Sequence, residues 1–123
     1  MKLHRHQQGS SICLVFTFGP VLGKVAVEAM AHEVEQAMEQ FEDLRLLLDL
    51  SATNEVEAGA FLSLEGAITS TRSIGPVSRY AVVAAPHAAA SAIEGFGKFL
   101  PLEARTFEAS RIAAAQAWCC DFA

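Results

Sequence analysis

The sequence predicts an α/β fold: a single domain spanning residues 1–123, with a four- to five-stranded, mostly parallel mixed sheet packed with about four helices. Three observations predict it. Short apolar, β-branched runs recur along the chain, as SICLVFTF, LRLLLDL and RYAVVA. Segments of helical periodicity alternate with them. A chain of 123 residues is one domain by length and can bury a core without covalent staples.

Each element follows from its local pattern. Leu3 to Gln7 reads as a short first strand, and residues 11–18 as a second that stops at Gly19-Pro20. In the next segment Val27, Met30, Ala31, Val34, Ala37, Met38 and Phe41 form one helical face, opposite Glu28, His32, Glu35, Gln36 and Glu39. Leu44 to Leu50 is apolar except for Arg45 and Asp49, as suits a strand covered on both faces. A second helix is expected from Glu55 to Thr71, with Ala58, Phe61, Leu62, Leu64 and Ile68 in its apolar arc. Arg79 to Ala84 is a central strand, and Pro86 suits the first turn of a third helix in which Ala89, Ala92, Ile93, Phe96 and Phe99 face inward. Glu103 to Phe107 is the last strand, and Ser110 is the expected N-cap of a final helix, RIAAAQAWCC. Alternation with short connections gives one mostly parallel sheet.

Bulk properties exclude several classes. The net charge is −5 and the basic residues are scattered without a stripe, so nucleic acid is not an expected partner. No apolar run is long enough to span a bilayer, and the first residues lack the apolar core of a signal peptide, so the expected location is cytoplasmic. The three cysteines, Cys13, Cys119 and Cys120, show neither zinc spacing nor a disulfide framework. Cys119-Cys120 falls in the last turn of an amphipathic helix, where one sulfur packs inward and the other faces out.

The motifs with chemical potential have plain structural readings. Gly19-Pro-Val-Leu-Gly-Lys24 sits between strand and helix as a phosphate loop does. It has one residue too few between its glycines, and Val25 where a magnesium-holding hydroxyl belongs. His4 and His6 share one strand face but have no third ligand nearby, so no metal and no cofactor is expected. Asp49 ends a buried strand and Glu65 falls inside an apolar helical arc, positions that can raise a carboxyl pKa. Nothing supplies a second catalytic group, and no enzymatic activity is expected. Asp49 is read as an acceptor for the amides of the turn that follows it. If Asn54 caps the second helix, Glu57 at N3 closes a capping box, and Glu55 and Glu57 fill the place an anion would take.

LRLLLDLS, RYAVVAAP and EARTFEAS, followed by a helix ending near Ala117-Trp118, resemble the small bacterial SpoIIAA-like proteins, relatives of the STAS anti-sigma-factor antagonists and comparable with CRAL-TRIO lipid-binding domains. The likeness covers roughly residues 10–120. It implies a four- or five-stranded mixed sheet and non-enzymatic binding of a hydrophobic small molecule or lipid. The alternative it implies is regulation by protein–protein contact. In the STAS group a D-S-S-G word carries a phosphorylated serine; aligned from Asp49, that word falls on Glu57-Ala58-Gly59-Ala60, without either serine. The usual phosphorylation switch is therefore not expected. The apolar residues of the second and third helices lead to an expected ligand or partner site at Phe61, Leu62, Glu65, Phe96 and Phe99, with Glu65 orienting a polar group, and to an expected homodimer.

Overall fold

The computed structural model describes residues 1–57, 77–85 and 103–121. The strands are β1 (Lys2–Gln8), β2 (Ser11–Thr17), β3 (Val21–Leu22), β4 (Asp43–Asp49), β5 (Glu55–Val56), β6 (Val77–Val83) and β7 (Glu103–Phe107). The helices among the described residues are α1 (Lys24–Gln40) and α2 (Ile112–Cys119), the latter entered through a 3-10 turn at Ala109–Arg111.

Five strands form one mixed sheet in the order β1-β2-β4-β6-β7, and β3 pairs with β5 in a separate two-stranded ribbon. Only β1 runs antiparallel to its neighbour; the β2–β4, β4–β6 and β6–β7 pairs are all parallel. The β1–β2 hairpin closes through Gly9-Ser10, with Gln8 opposite Ser11. Gly9 has φ of +60° and Ser10 does not share the positive region, the pattern of a type II′ turn, which asks for glycine at its first central position. Ser10 also ties the hairpin to the start of β4, its carbonyl accepting from the amides of Glu42 and Asp43 at 3.0 and 3.3 Å.

The strand periodicity divides the core in two. Ile12, Leu14, Phe16, Leu44, Leu46, Leu48, Tyr80 and Val82 point to one face and pack with Val27, Met30, Val34, Ala37 and Met38 of α1. Cys13, Val15, Leu47, Ala81 and Val83 point to the other and pack with Ala115 and Cys119 of α2. Burial on both faces explains why β2 and β4 read as continuous apolar runs. β1 is an exposed edge strand whose inward contact is Leu3. Its charged and polar side chains protect an edge that would otherwise pair with another chain.

The expected strands and first helix are present, and the mixed sheet has five strands. Three expectations change. Glu55 and Val56 do not open a helix: they form β5, parallel to Val21 and Leu22 of β3. Asn54 is accordingly no N-cap, and its amide donates to the Pro20 carbonyl at 2.8 Å. Ser110 is no N-cap either; it lies within the 3-10 turn, whose preceding residue Glu108 is extended. The expected helix count of about four becomes two among the described residues. The remainder of the second expected helix and the third lie outside the described residues.

Candidate functional site

The parallel strands β2, β4 and β6 all end at one edge of the sheet, where α/β proteins place their ligands. Two links hold that edge together: Phe18 N donates to Asp49 O at 3.1 Å and Leu50 N to Val83 O at 3.0 Å. The Asp49 carboxylate accepts from Ser51 N at 2.9 Å, an Asx turn that redirects the chain after β4. Asp49 thus has the structural role its position suggested. Thr53 Oγ1 donates to Gly19 O at 2.8 Å and Glu57 N to Leu22 O at 2.9 Å, so the segment after β4 is laced to the one that leads into α1.

The first turn of α1 receives a carboxylate from outside the helix. Gly23, its N-cap residue, offers no side chain. Glu57 supplies one instead, accepting from Lys24 N at 3.3 Å. A side chain on Gly23 would collide with it, since an ideal Cβ there lies 2.6 Å from Glu57 Oε1. The expected capping box at the second helix is replaced by this reach to α1. The physical consequence is similar, because a fixed carboxylate fills the positive end of a helix where an anion would bind.

Beside this contact lies an open cleft of about 520 Å³. Met1, Val21, Val25, Ala26 and Ala29 supply its apolar lining, and Gly23, Lys24 and Glu57 the rest. Val25 is 81% exposed, Val21 48% and Met1 50%, an unusual grouping of large apolar side chains in water. A second, smaller groove of about 210 Å³ between β1 and α1 is polar in character, with Arg5 paired to Glu33 at 2.5 Å on its wall.

On the opposite face, β4, β6 and β7 gather charged and aromatic groups around the end of α2. Arg45 stands opposite Arg79 in the β4–β6 register. Arg45 Nη1 donates to the carbonyls of Cys119 and Asp121, and Arg79 Nη1 to that of Trp118. Both guanidiniums therefore neutralise the carbonyl end of the helix dipole. Trp118 lies against both Arg79 and Arg105, whose guanidinium carbons are 5.2 and 4.9 Å from the ring centre, and packs on Phe107. The arginines scattered in sequence form this local group, but they are directed at helix carbonyls and an indole ring.

The three cysteines also meet here. Cys13 of β2 and Cys120 are joined by a disulfide across 107 positions. Cys119 is a buried free thiol, 3.8 Å from Cys13 Sγ and 3.3 Å from the Leu46 carbonyl to which it donates. Burial pushes its thiol up to about 12 from 9.0, against a smaller opposing pull from Arg45 and Arg79. The expectation of no disulfide is corrected, because sequence spacing cannot show that the topology brings the two ends of the chain together.

The model of the family described as SpoIIAA-like matches residues 14–120 of this chain. The chain belongs to the SpoIIAA-like family. Its backbone is similar to the crystal structure of an uncharacterised protein of the DUF3478 family with a SpoIIAA-like fold from Shewanella loihica, with a TM-score of 0.62 over 97% of this chain and 93% of that one. The two are 19% identical, so the likeness is one of fold. A search of curated proteins gives no significant match.

Glu57, on which the expected alignment puts the first position of the STAS serine word, is the carboxylate that accepts from Lys24 N of α1. The expected site residues Phe61, Leu62, Glu65, Phe96 and Phe99 lie outside the described residues. His4 and His6 are exposed on β1, opposite Val15 and Cys13, and His32 is exposed on α1 beside Gln36. Among the described residues no group of three His, Cys, Asp or Glu side chains is arranged to hold a metal ion, and no helix is long and apolar enough to cross a membrane. The cleft was not legible in the sequence. Its one local signal is Val25, an apolar residue off the buried face of an otherwise amphipathic helix.

Proposed function

We propose that this SpoIIAA-like chain is a non-catalytic binding module, and that its ligand is an apolar small molecule or the acyl portion of a lipid. The observation that carries this reading is the apolar cleft of about 520 Å³ at the carboxyl edge of the parallel strands. Its size lies within the range of about 300–1,000 Å³ typical of small-molecule sites. Val21, Val25, Ala26 and Ala29 would cover the ligand's apolar part, and the Lys24 ammonium at the rim would meet an acidic head. Phe61, Leu62, Phe96 and Phe99 remain proposed ligand or partner contacts, with Glu65 proposed to orient a polar group. The same exposed patch supports a homodimer as the resting, ligand-free form. The proposed location is the cytoplasm.

A second reading has its own support. The STAS-like fold also serves regulation through protein contact, and here Glu57 occupies the α1 N-terminus as a permanent carboxylate. That favours contact that is not gated by serine phosphorylation. Displacement of a fluorescent fatty acid from the purified protein separates the readings. Saturable displacement by unlabelled fatty acid, with one site per chain, supports the ligand reading. Absence of saturable binding, together with a stable complex with a host protein, supports the regulatory one.

A further inference from the structure

We propose that the Cys13–Cys120 disulfide is a redox latch that holds the last turn of α2 on the sheet, and that a small external thiol opens it by attacking Cys120 Sγ. The inference does not depend on the ligand reading. It rests on where the three sulfurs lie and on what surrounds them.

The bond joins elements of unequal anchoring. Cys13 is fully buried within β2, which has β1 on one side and β4 on the other. Cys120 is only partly buried, directly after the eight-residue helix α2. Among the described residues α2 carries two fully buried side chains, Ala115 and Cys119. The rest of its hold is polar or partly exposed: Ile112 against the core on that face of the sheet, Arg45 and Arg79 on its terminal carbonyls, and Trp118 against Phe107 and the arginines. The disulfide is the one covalent link on a lightly anchored end.

The chemistry is directional. Thiol–disulfide exchange needs a thiolate in line with one sulfur, and access decides which sulfur is attacked. Of the two bonded residues, only Cys120 is partly exposed. An incoming thiol R–SH, as its thiolate, forms a new bond to Cys120 Sγ and breaks the Cys13–Cys120 bond; its proton ends on the Cys13 sulfur. A second R–SH attacks the R sulfur of the mixed disulfide, giving R–S–S–R and a Cys120 thiol. Two thiols are oxidised and one protein disulfide is reduced. The disulfide form of the same small thiol reverses both steps. Cys119 lies 3.8 Å from Cys13 but stays a protonated bystander, because its buried thiol is held far from the thiolate form that exchange requires. In a reducing compartment such a bond acts as a sensor more than as a staple.

The chain's single tryptophan, Trp118, is two residues from Cys120 and reports the latch directly. Oxidised full-length protein is exposed to reduced glutathione, quenched in acid, blocked with N-ethylmaleimide and mapped by tandem mass spectrometry. The expected result is glutathione on Cys120 and maleimide on Cys13. Complete reduction should red-shift Trp118 emission and speed amide exchange across residues 112–119, with β2 and β4 still protected. The Cys119→Ser variant should behave as wild type in all three respects. The proposal is overturned if glutathione is found on Cys13, if reduction leaves emission and exchange unchanged, or if Cys119→Ser, shown by circular dichroism to be folded, no longer responds. Because the central measurement uses the unmutated chain, a variant that fails to fold does not decide the outcome.

Discussion

Val25→Asp should destroy ligand binding and leave the fold intact. Val25 is 81% exposed on the first turn of α1, so its replacement removes almost no buried surface from the folded protein. An aspartate near a helix N-terminus is favourable by about 0.3–1 kcal/mol, which offsets the small change in packing. The unfolding midpoint should therefore stay the same or rise slightly. Binding is affected differently. Covering a valine-sized side chain with ligand contributes about 1.5–3 kcal/mol, and that contribution disappears. The substituted carboxylate also adds a desolvation cost beside Glu57, which already lines the cleft. At about 1.4 kcal/mol per decade, the lost burial alone weakens binding roughly ten- to a hundredfold. Titration of both proteins with a fluorescent fatty acid, paired with urea unfolding, reads the two effects separately. If Val25→Asp binds the probe as tightly as the parent at unchanged stability, the cleft is not the site and the reasoning from its exposed apolar lining fails.

Three further outcomes follow from the structure. Gly23→Ala should force the Glu57 carboxylate away from Lys24 N, because the Cβ site is 2.6 Å from Glu57 Oε1. The φ of −114° at Gly23 suits alanine, so a gain of about 0.4–1 kcal/mol through the unfolded state should oppose the lost hydrogen bond; the readout is a moved Lys24 amide resonance, and an unmoved one would show that Glu57 does not cap α1. Leu47→Ala, at a fully buried position facing α2, should cost about 2–5 kcal/mol in denaturant unfolding. The Cys119 thiol, pushed from 9.0 to about 12 by burial, gives a pH signature. Below pH 9.0 the thiol is protonated in both states and its contribution is complete; between 9.0 and about 12 the unfolded chain releases the proton first, so stability falls as pH rises. Cys119→Ala should flatten that alkaline decline in a series of urea midpoints, and an unchanged slope would assign it to other groups.

The sheet was legible because its signals are local. β2, β4 and β6 are buried on both faces and appear as largely apolar runs, while α1 shows its inward stripe at helical spacing. Asp49 was legible for the same reason, since an Asx turn is settled within two residues. The segment from Asn54 to Glu57 was misread because it carries a genuine capping-box pattern. Its amides are claimed instead by Pro20 and Leu22, more than thirty positions away, and a long-range ribbon overrides a local preference. Ser110 failed similarly: a serine beside a helix start is a good cap only if the backbone there is extended, and the 3-10 turn removes that condition. The Cys13–Cys120 link and the arginine–tryptophan group depend on strand order and register, which no spacing rule encodes. The cleft was missed because it joins Met1 and Glu57 to the contiguous β3–α1 segment, three places that become neighbours only after folding.

Native mass spectrometry of the chain purified from its own host without detergent tests the central claim most directly. The account predicts a mass excess that survives gentle ionisation, is released on denaturation as an apolar molecule, and is absent from Val25→Asp purified in the same way. A bare mass for the parent protein, unchanged after incubation with fatty acid, would contradict it.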